Sequence, residues 1–98
     1  MYKMIALFKK PSDPVVFDEY YFGTHLPLTE KIPGLLEMKV TKFHGDSPYY
    51  LMCEMVYESK NAFKESSKTP EAKASGRDVM NFAGNLVTFL FGEEVHGK

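Results

Sequence analysis

The run YYLMCEMVY, from Tyr49 to Tyr57, constrains this chain more than any other stretch. Successive side chains of a strand point to opposite faces of its sheet. Here both sets are apolar, and only Glu54 interrupts them. A strand of this kind needs cover on both sides. It therefore sits inside a sheet with something packed on each face.

The first strand reads Tyr2 to Lys9. Tyr2, Met4, Ala6 and Phe8 share one face; Lys3, Ile5, Leu7 and Lys9 share the other. Its centre is also apolar on both sides. The second strand, Leu36 to Phe43, alternates more cleanly, with Leu36, Met38 and Val40 against Glu37, Lys39 and Thr41. That pattern places it toward a sheet edge. Leu86 to Phe91 reads as a fourth strand, followed by a polar tail, Gly92 to Lys98.

Two helical segments separate these strands. Asp13 is an N-cap with Pro14 at the first helical position. Phe17, Tyr20, Tyr21, Thr24 and Leu28 then recur at three- and four-residue spacing. Gly23 and Pro27 interrupt this stripe, so the helix loosens around His25, resumes briefly, and ends at Pro33-Gly34. Ser59 caps a short helix carrying Ala62 and Phe63. Thr69-Pro70 repeats the cap-then-proline pattern, and the helix that follows runs through Val79 and Phe82 to a stop at Gly84-Asn85.

The order is β-α-β-β-α-β in 98 residues. That is an α+β fold, a single ferredoxin-like domain over 1–98 with an antiparallel sheet. Its helices cover one face of the sheet. The other face is apolar and bare, and a second copy is the simplest cover. The six Met, six Tyr and eight Phe also exceed what one small core needs. A homodimer is expected.

Several partners are excluded. The formal charge is −1 with acids and bases interspersed, so no basic stripe invites nucleic acid. No apolar run is long enough to span a membrane. The single cysteine, Cys53, forms no internal disulfide, which fits a cytoplasmic protein. Its alternation with Glu54 turns it toward the helices, where burial makes it inert. His44 and His96 add no metal-ligand spacing, so no metal and no cofactor is expected.

The chemistry gathers around YYFGTHLPLTEKIPGL, residues 20–35. His25 sits where the helix breaks, beside aromatics, and is the natural general acid or base near neutral pH. The plainer reading is a helix-end histidine bonded to backbone. Tyr21 lies four residues earlier, on the same face, placed to stack on the imidazole. Glu54, alone among apolar neighbours, either faces a wet cavity beside His25 or pairs with a lysine of a helix or of the partner chain. His25, Tyr21 and Glu54 are the expected catalytic set. Tyr20, Tyr50, Met52, Phe8 and Met4 are expected to bind an apolar or aromatic small molecule. Asp78 is the weakest candidate, with Arg77, Lys73 or a loop as its expected partners.

With YYFGTHLPLTEKIPGL, the YYLMCEMVYES strand and the SGRDVMNFAG helix end in view, the chain resembles the EthD family over nearly its whole length. That family is named for a small protein encoded with ethyl tert-butyl ether degradation genes. The aromatic-x-x-x-His-Leu-Pro-Leu segment followed by Lys-Ile-Pro-Gly-Leu is the specific part. The resemblance implies a dimeric α+β barrel, in which two ferredoxin-like sheets pack face to face. It also implies that His25 occupies the family's histidine position. Proteins of this fold include monooxygenases of aromatic polyketides, muconolactone isomerase-like enzymes, haem-degrading enzymes and stress-response proteins. The resemblance therefore leaves three readings: a cofactor-independent monooxygenase, isomerase or dehydratase; a haem-binding protein; and a non-catalytic carrier or auxiliary protein. Fold alone does not choose among them.

Overall fold

A computed structural model describes all 98 residues. Four antiparallel strands, β1 (Tyr2–Lys9), β2 (Glu37–Lys42), β3 (Tyr49–Tyr57) and β4 (Val87–Glu93), form one sheet in the order β2-β3-β1-β4. The strands with two apolar faces take the centre, and the cleanly alternating β2 takes an edge, as its pattern demands. The fourth strand starts one residue later and runs two further than its apolar stretch.

The helices are α1 (Pro14–Tyr20), a π-helical turn (Tyr21–His25), α2 (Leu26–Thr29), α3 (Lys60–Ser67) and α4 (Pro70–Ala83). Three caps act as their residue types require. Asp13 Oδ1 accepts from Val16 N at 3.2 Å, Ser59 Oγ from Ala62 N at 3.0 Å, and Thr69 Oγ1 from Ala72 N at 3.2 Å. Gly34 takes φ +85° after the proline stop, a conformation that favours glycine. Ser66 Oγ donates to Pro33 O at 2.6 Å and ties that turn to α3.

All helices lie on one face of the sheet. The core between them holds Tyr2, Ala6 and Phe8 of β1, Leu51, Cys53, Met55 and Tyr57 of β3, and Phe17, Tyr21, Val79 and Ala83 from the helices. Phe8 meets Phe17 and Tyr21 edge-on at 5.6 and 5.4 Å, and Phe17 stacks on Tyr21 at 5.6 Å. Each such pair adds about 0.5–1.5 kcal/mol beyond burial, which pins α1 and the π turn to the sheet centre.

The opposite face carries Ile5 and Leu7 of β1, Met52, Glu54 and Val56 of β3, and Leu90 of β4, with no element over it. Leu90 is 47% exposed. No helix is long and apolar enough to cross a membrane.

Candidate active site

The π turn creates the site. On an α-helix, residues five apart diverge by about 140°, so Tyr20 and His25 would look in different directions. Here the Leu26 N–H bonds to Tyr21 O, an i→i+5 bond, and the wider turn brings both side chains to α4. Pro27 has no N–H to hold the α pattern across this region. The break expected at His25 is thus a widened turn, and the helix resumes at once as α2.

Asp78 of α4 receives both residues. Tyr20 Oη donates to Asp78 Oδ1 at 2.5 Å, and His25 Nδ1 lies 2.9 Å from Asp78 Oδ2. A carboxylate accepts, so Nδ1 carries the proton and Nε2 keeps its lone pair. His25 is 7% exposed, and Tyr20, at 36%, stands over the pair at the surface. Burial pushes the His25 pKa below its usual value; the bond to Asp78 and its charge oppose that. The imidazole is therefore neutral near pH 7, a base already held in one tautomer. Asp78 first by hydrogen bond, then burial, raises the Tyr20 phenol.

On the Nε2 side of the ring lies a small hydroxyl cluster. Thr29 Oγ1 is 3.4 Å from His25 Nε2, 3.2 Å from His25 O and 2.8 Å from Ser75 Oγ. His25, Thr29 and Ser75 are three of the four buried polar residues of the chain. Buried polar groups concentrate where they satisfy each other, and here they do so beside a cavity.

That cavity, about 160 Å³, lies between the helices and the covered face of the sheet. Phe8, Met55, Tyr57, Phe63, Val79 and Phe89 contribute apolar wall, and His25, Thr29 and Ser75 a polar patch. Its exposed lining residues are Ser67 and Gly76, which place the mouth between the end of α3 and α4. No three His, Cys, Asp or Glu side chains gather to hold a metal.

The sequence-predicted residues divide across the sheet. His25, Tyr21, Met4 and Phe8 all line the cavity. Tyr21 and His25 rings are 5.6 Å apart, tilted by 39°. Burial, then the neighbouring Cys53, holds the Tyr21 phenol far above its ordinary pKa, so it stays a neutral hydroxyl. Tyr20 lies outside the cavity and acts on Asp78.

Glu54 and Met52 do not join this site. They occupy the bare face of β3, because Cys53 between them points to the helices. Glu54 pairs at 3.7 Å with Lys3 of the neighbouring strand β1, rather than with a lysine of a helix or of a partner chain. Tyr50 departs from the alternation. The register slips between Phe8↔Leu51 and Lys9↔Tyr49, and the extra residue turns to the helix side. There Tyr50 Oη donates to Asp18 Oδ1 at 2.9 Å, next to Lys42, away from the cavity. Cys53 is buried, and that burial raises its thiol pKa, so it is unreactive.

Asp78 was undervalued by sequence reasoning, which gave it local partners. The signal present was its register. Ser75, Asp78, Val79 and Phe82 recur at three- and four-residue spacing, so the acid lies on the inner stripe of α4.

Comparison with known proteins identifies the family and the fold. The EthD domain model matches residues 9–85. A solved ethyl tert-butyl ether degradation (EthD) family protein from Bacillus halodurans is 52% identical, with TM-score 0.94, covering 97% of this chain and 99% of that one. An uncharacterised 11.0 kDa protein from the thcB-thcC intergenic region of Rhodococcus erythropolis is 34% identical over 96% of this chain and 95% of its own length. At 14% identity, SnoaB of Streptomyces nogalater, a cofactor-independent oxygenase solved as a mutant, shares the fold with TM-score 0.67, covering 98% of this chain and 94% of that one. With that model and two relatives of nearly equal length, this chain belongs to the EthD family.

Proposed function

We propose that this protein is a small cofactor-independent enzyme, and that His25 Nε2 is its general base. The observation that carries the reading is the His25 Nδ1–Asp78 Oδ2 contact at 2.9 Å, on a ring that also forms the wall of an apolar cavity. Asp78 fixes the tautomer and stabilises the imidazolium formed when Nε2 takes a proton. The substrate is an uncharged aromatic or polyketide-like molecule with an acidic O–H or C–H. Deprotonation of an electron-rich phenol or an anthrone yields an anion that passes one electron to dioxygen without a metal. The two radicals combine to a hydroperoxide, which loses water to give the quinone. The fold shared with a cofactor-independent oxygenase supports this monooxygenase form. Isomerisation and dehydration use the same proton transfer.

Self-association belongs to the same reading. Ile5, Leu7, Met52, Val56 and Leu90 make an apolar bare face, and a second copy covers it by sheet-on-sheet packing. Sedimentation is expected to give twice the 11.2 kDa chain mass, and Leu90→Lys to give the monomer. A parent chain that sediments as a monomer at micromolar concentration overturns the dimer. The lone thiol, Cys53, supports a cytoplasmic setting.

Phenols, anthrones and hydroxyquinones are to be screened for turnover with and without oxygen. His25→Ala is expected to lower the rate roughly 10²–10⁴-fold with the fold retained. The base must be neutral, so the rate rises with pH through a pKa below 6.5. An imidazole-free variant that turns over like the parent leaves a carrier.

A further inference from the structure

We infer that the cavity takes a neutral phenol of a single ring, with its hydroxyl on His25 Nε2. The inference rests on the proposed role of His25 and narrows its substrate from polycyclic molecules to monocyclic ones.

Size is the first constraint. The cavity measures about 160 Å³. An apolar protein cavity of about 150 Å³ holds one benzene. A second fused ring exceeds that space unless the walls move, and those walls include Phe8 and Val79, both fixed in the core.

Charge is the second. The lining contains no Lys, Arg, Asp or Glu. Asp78, the charged group bonded to the imidazole that lines the cavity, is negative. An anion entering this cavity loses its water and gains no cation. Carboxylates such as benzoate are therefore rejected while neutral rings are accepted.

Hydrogen bonding is the third. Nε2 is an acceptor, and its nearest polar neighbour, Thr29 Oγ1, is 3.4 Å away, beyond the usual range. That hydroxyl has one proton and two better-placed neighbours, His25 O and Ser75 Oγ. Nε2 thus has only this long contact, on a residue that lines the cavity, and its lone pair can take a closer donor. A ligand hydroxyl supplies that closer donor. Transfer of its proton to Nε2 leaves the electron pair on the ligand oxygen and the positive charge on the imidazole, opposite Asp78.

Entry is the fourth. Gly76 stands at the mouth, inside helix α4, and a Cβ there would meet nothing within 4 Å. The opening is thus clear of side chains on that side.

The test titrates the full-length protein at pH 8 with phenol, benzene, benzoate, 1-naphthol and anthrone, following amide chemical shifts. Phenol is expected to bind roughly 2–12-fold tighter than benzene, the span of one net hydrogen bond. Benzoate, naphthol and anthrone are expected not to bind. His25→Ala should equalise phenol and benzene. Ala72→Leu, which fills the cavity from α4, should abolish both while the spectrum stays folded. Equal binding of phenol and benzene by the parent overturns the hydroxyl assignment. Binding of anthrone but not phenol overturns the size limit and leaves the His25 reading intact. Phenol binding as expected, with substrate turnover unchanged in His25→Ala, sinks the catalytic reading and keeps the ligand class.

Discussion

Replacing Asp78 by Asn tests the site without needing a substrate. The side chain keeps its shape and loses its charge. It accepts from two donors in the parent, Tyr20 Oη and His25 Nδ1. The amide oxygen can keep the bond from His25, and the amide N–H can donate to the exposed Tyr20 Oη, so both contacts remain as neutral ones. The His25 bond then changes from charge-assisted to neutral, which lowers its contribution from about 1.5–3 to about 0.5–1.5 kcal/mol. The expected destabilisation is about 1–1.5 kcal/mol, or a fall in Tm of roughly 4–12 °C for a domain of this size. Titration carries the sharper signature. Burial lowers the His25 pKa and Asp78 raises it, so removing the charge lowers it further. In the parent, the unfolded chain binds a proton at His25 more readily than the folded one. Stability is then full above about pH 6.5 and falls as pH drops toward the folded value. In Asp78→Asn that decline continues to lower pH. Imidazole 15N spectra recorded against pH report both the tautomer and the midpoint. An unchanged or upward-shifted midpoint, with Nδ1 still protonated and Tm unaltered, would refute the claim that Asp78 holds the ring.

Three further outcomes are expected. Gly76→Ala should stabilise the protein by about 0.5–1 kcal/mol in denaturant unfolding, because the position is exposed, helical and open to a Cβ. Glu54→Gln should leave the His25 titration unmoved, since the two groups lie on opposite faces of the sheet; a shifted midpoint in the same 15N experiment would contradict that placement. Native Cys53 should react with iodoacetamide far more slowly than in the unfolded chain, because burial keeps the thiol protonated although it lines the cavity; mass spectrometry of the intact protein reads this directly.

Periodicity made the sheet legible. Two strands with apolar faces on both sides had to be central, and β2, with polar alternation, had to be at an edge. The same alternation already separated Cys53 from Glu54. Once Cys53 faces the helices, Glu54 cannot share a cavity with a helix-borne His25 on that side. The Asp78 contact was harder to read, because it joins residues 53 apart in sequence, and spacing within α4 offers Lys73 and Arg77 as nearer partners. The π turn was harder still. Gly23 and Pro27 mark a weak point in a helix, yet residue types do not say whether such a helix kinks, ends or widens. Tyr50 was misplaced for a similar reason, since a bulge shifts a side chain across the sheet with no composition change.

An i→i+5 turn contains one residue more than an α turn. Deleting any one residue from Phe22 to Thr24 would let the helix close in the ordinary way and rotate everything after it by about 100°. His25 would swing away from Asp78, and α2 would leave its seat on α4. Phe22, Gly23 and Thr24 are exposed, so exchanges of side chain there are tolerated far better than the loss of a codon. What this segment must keep is its residue count.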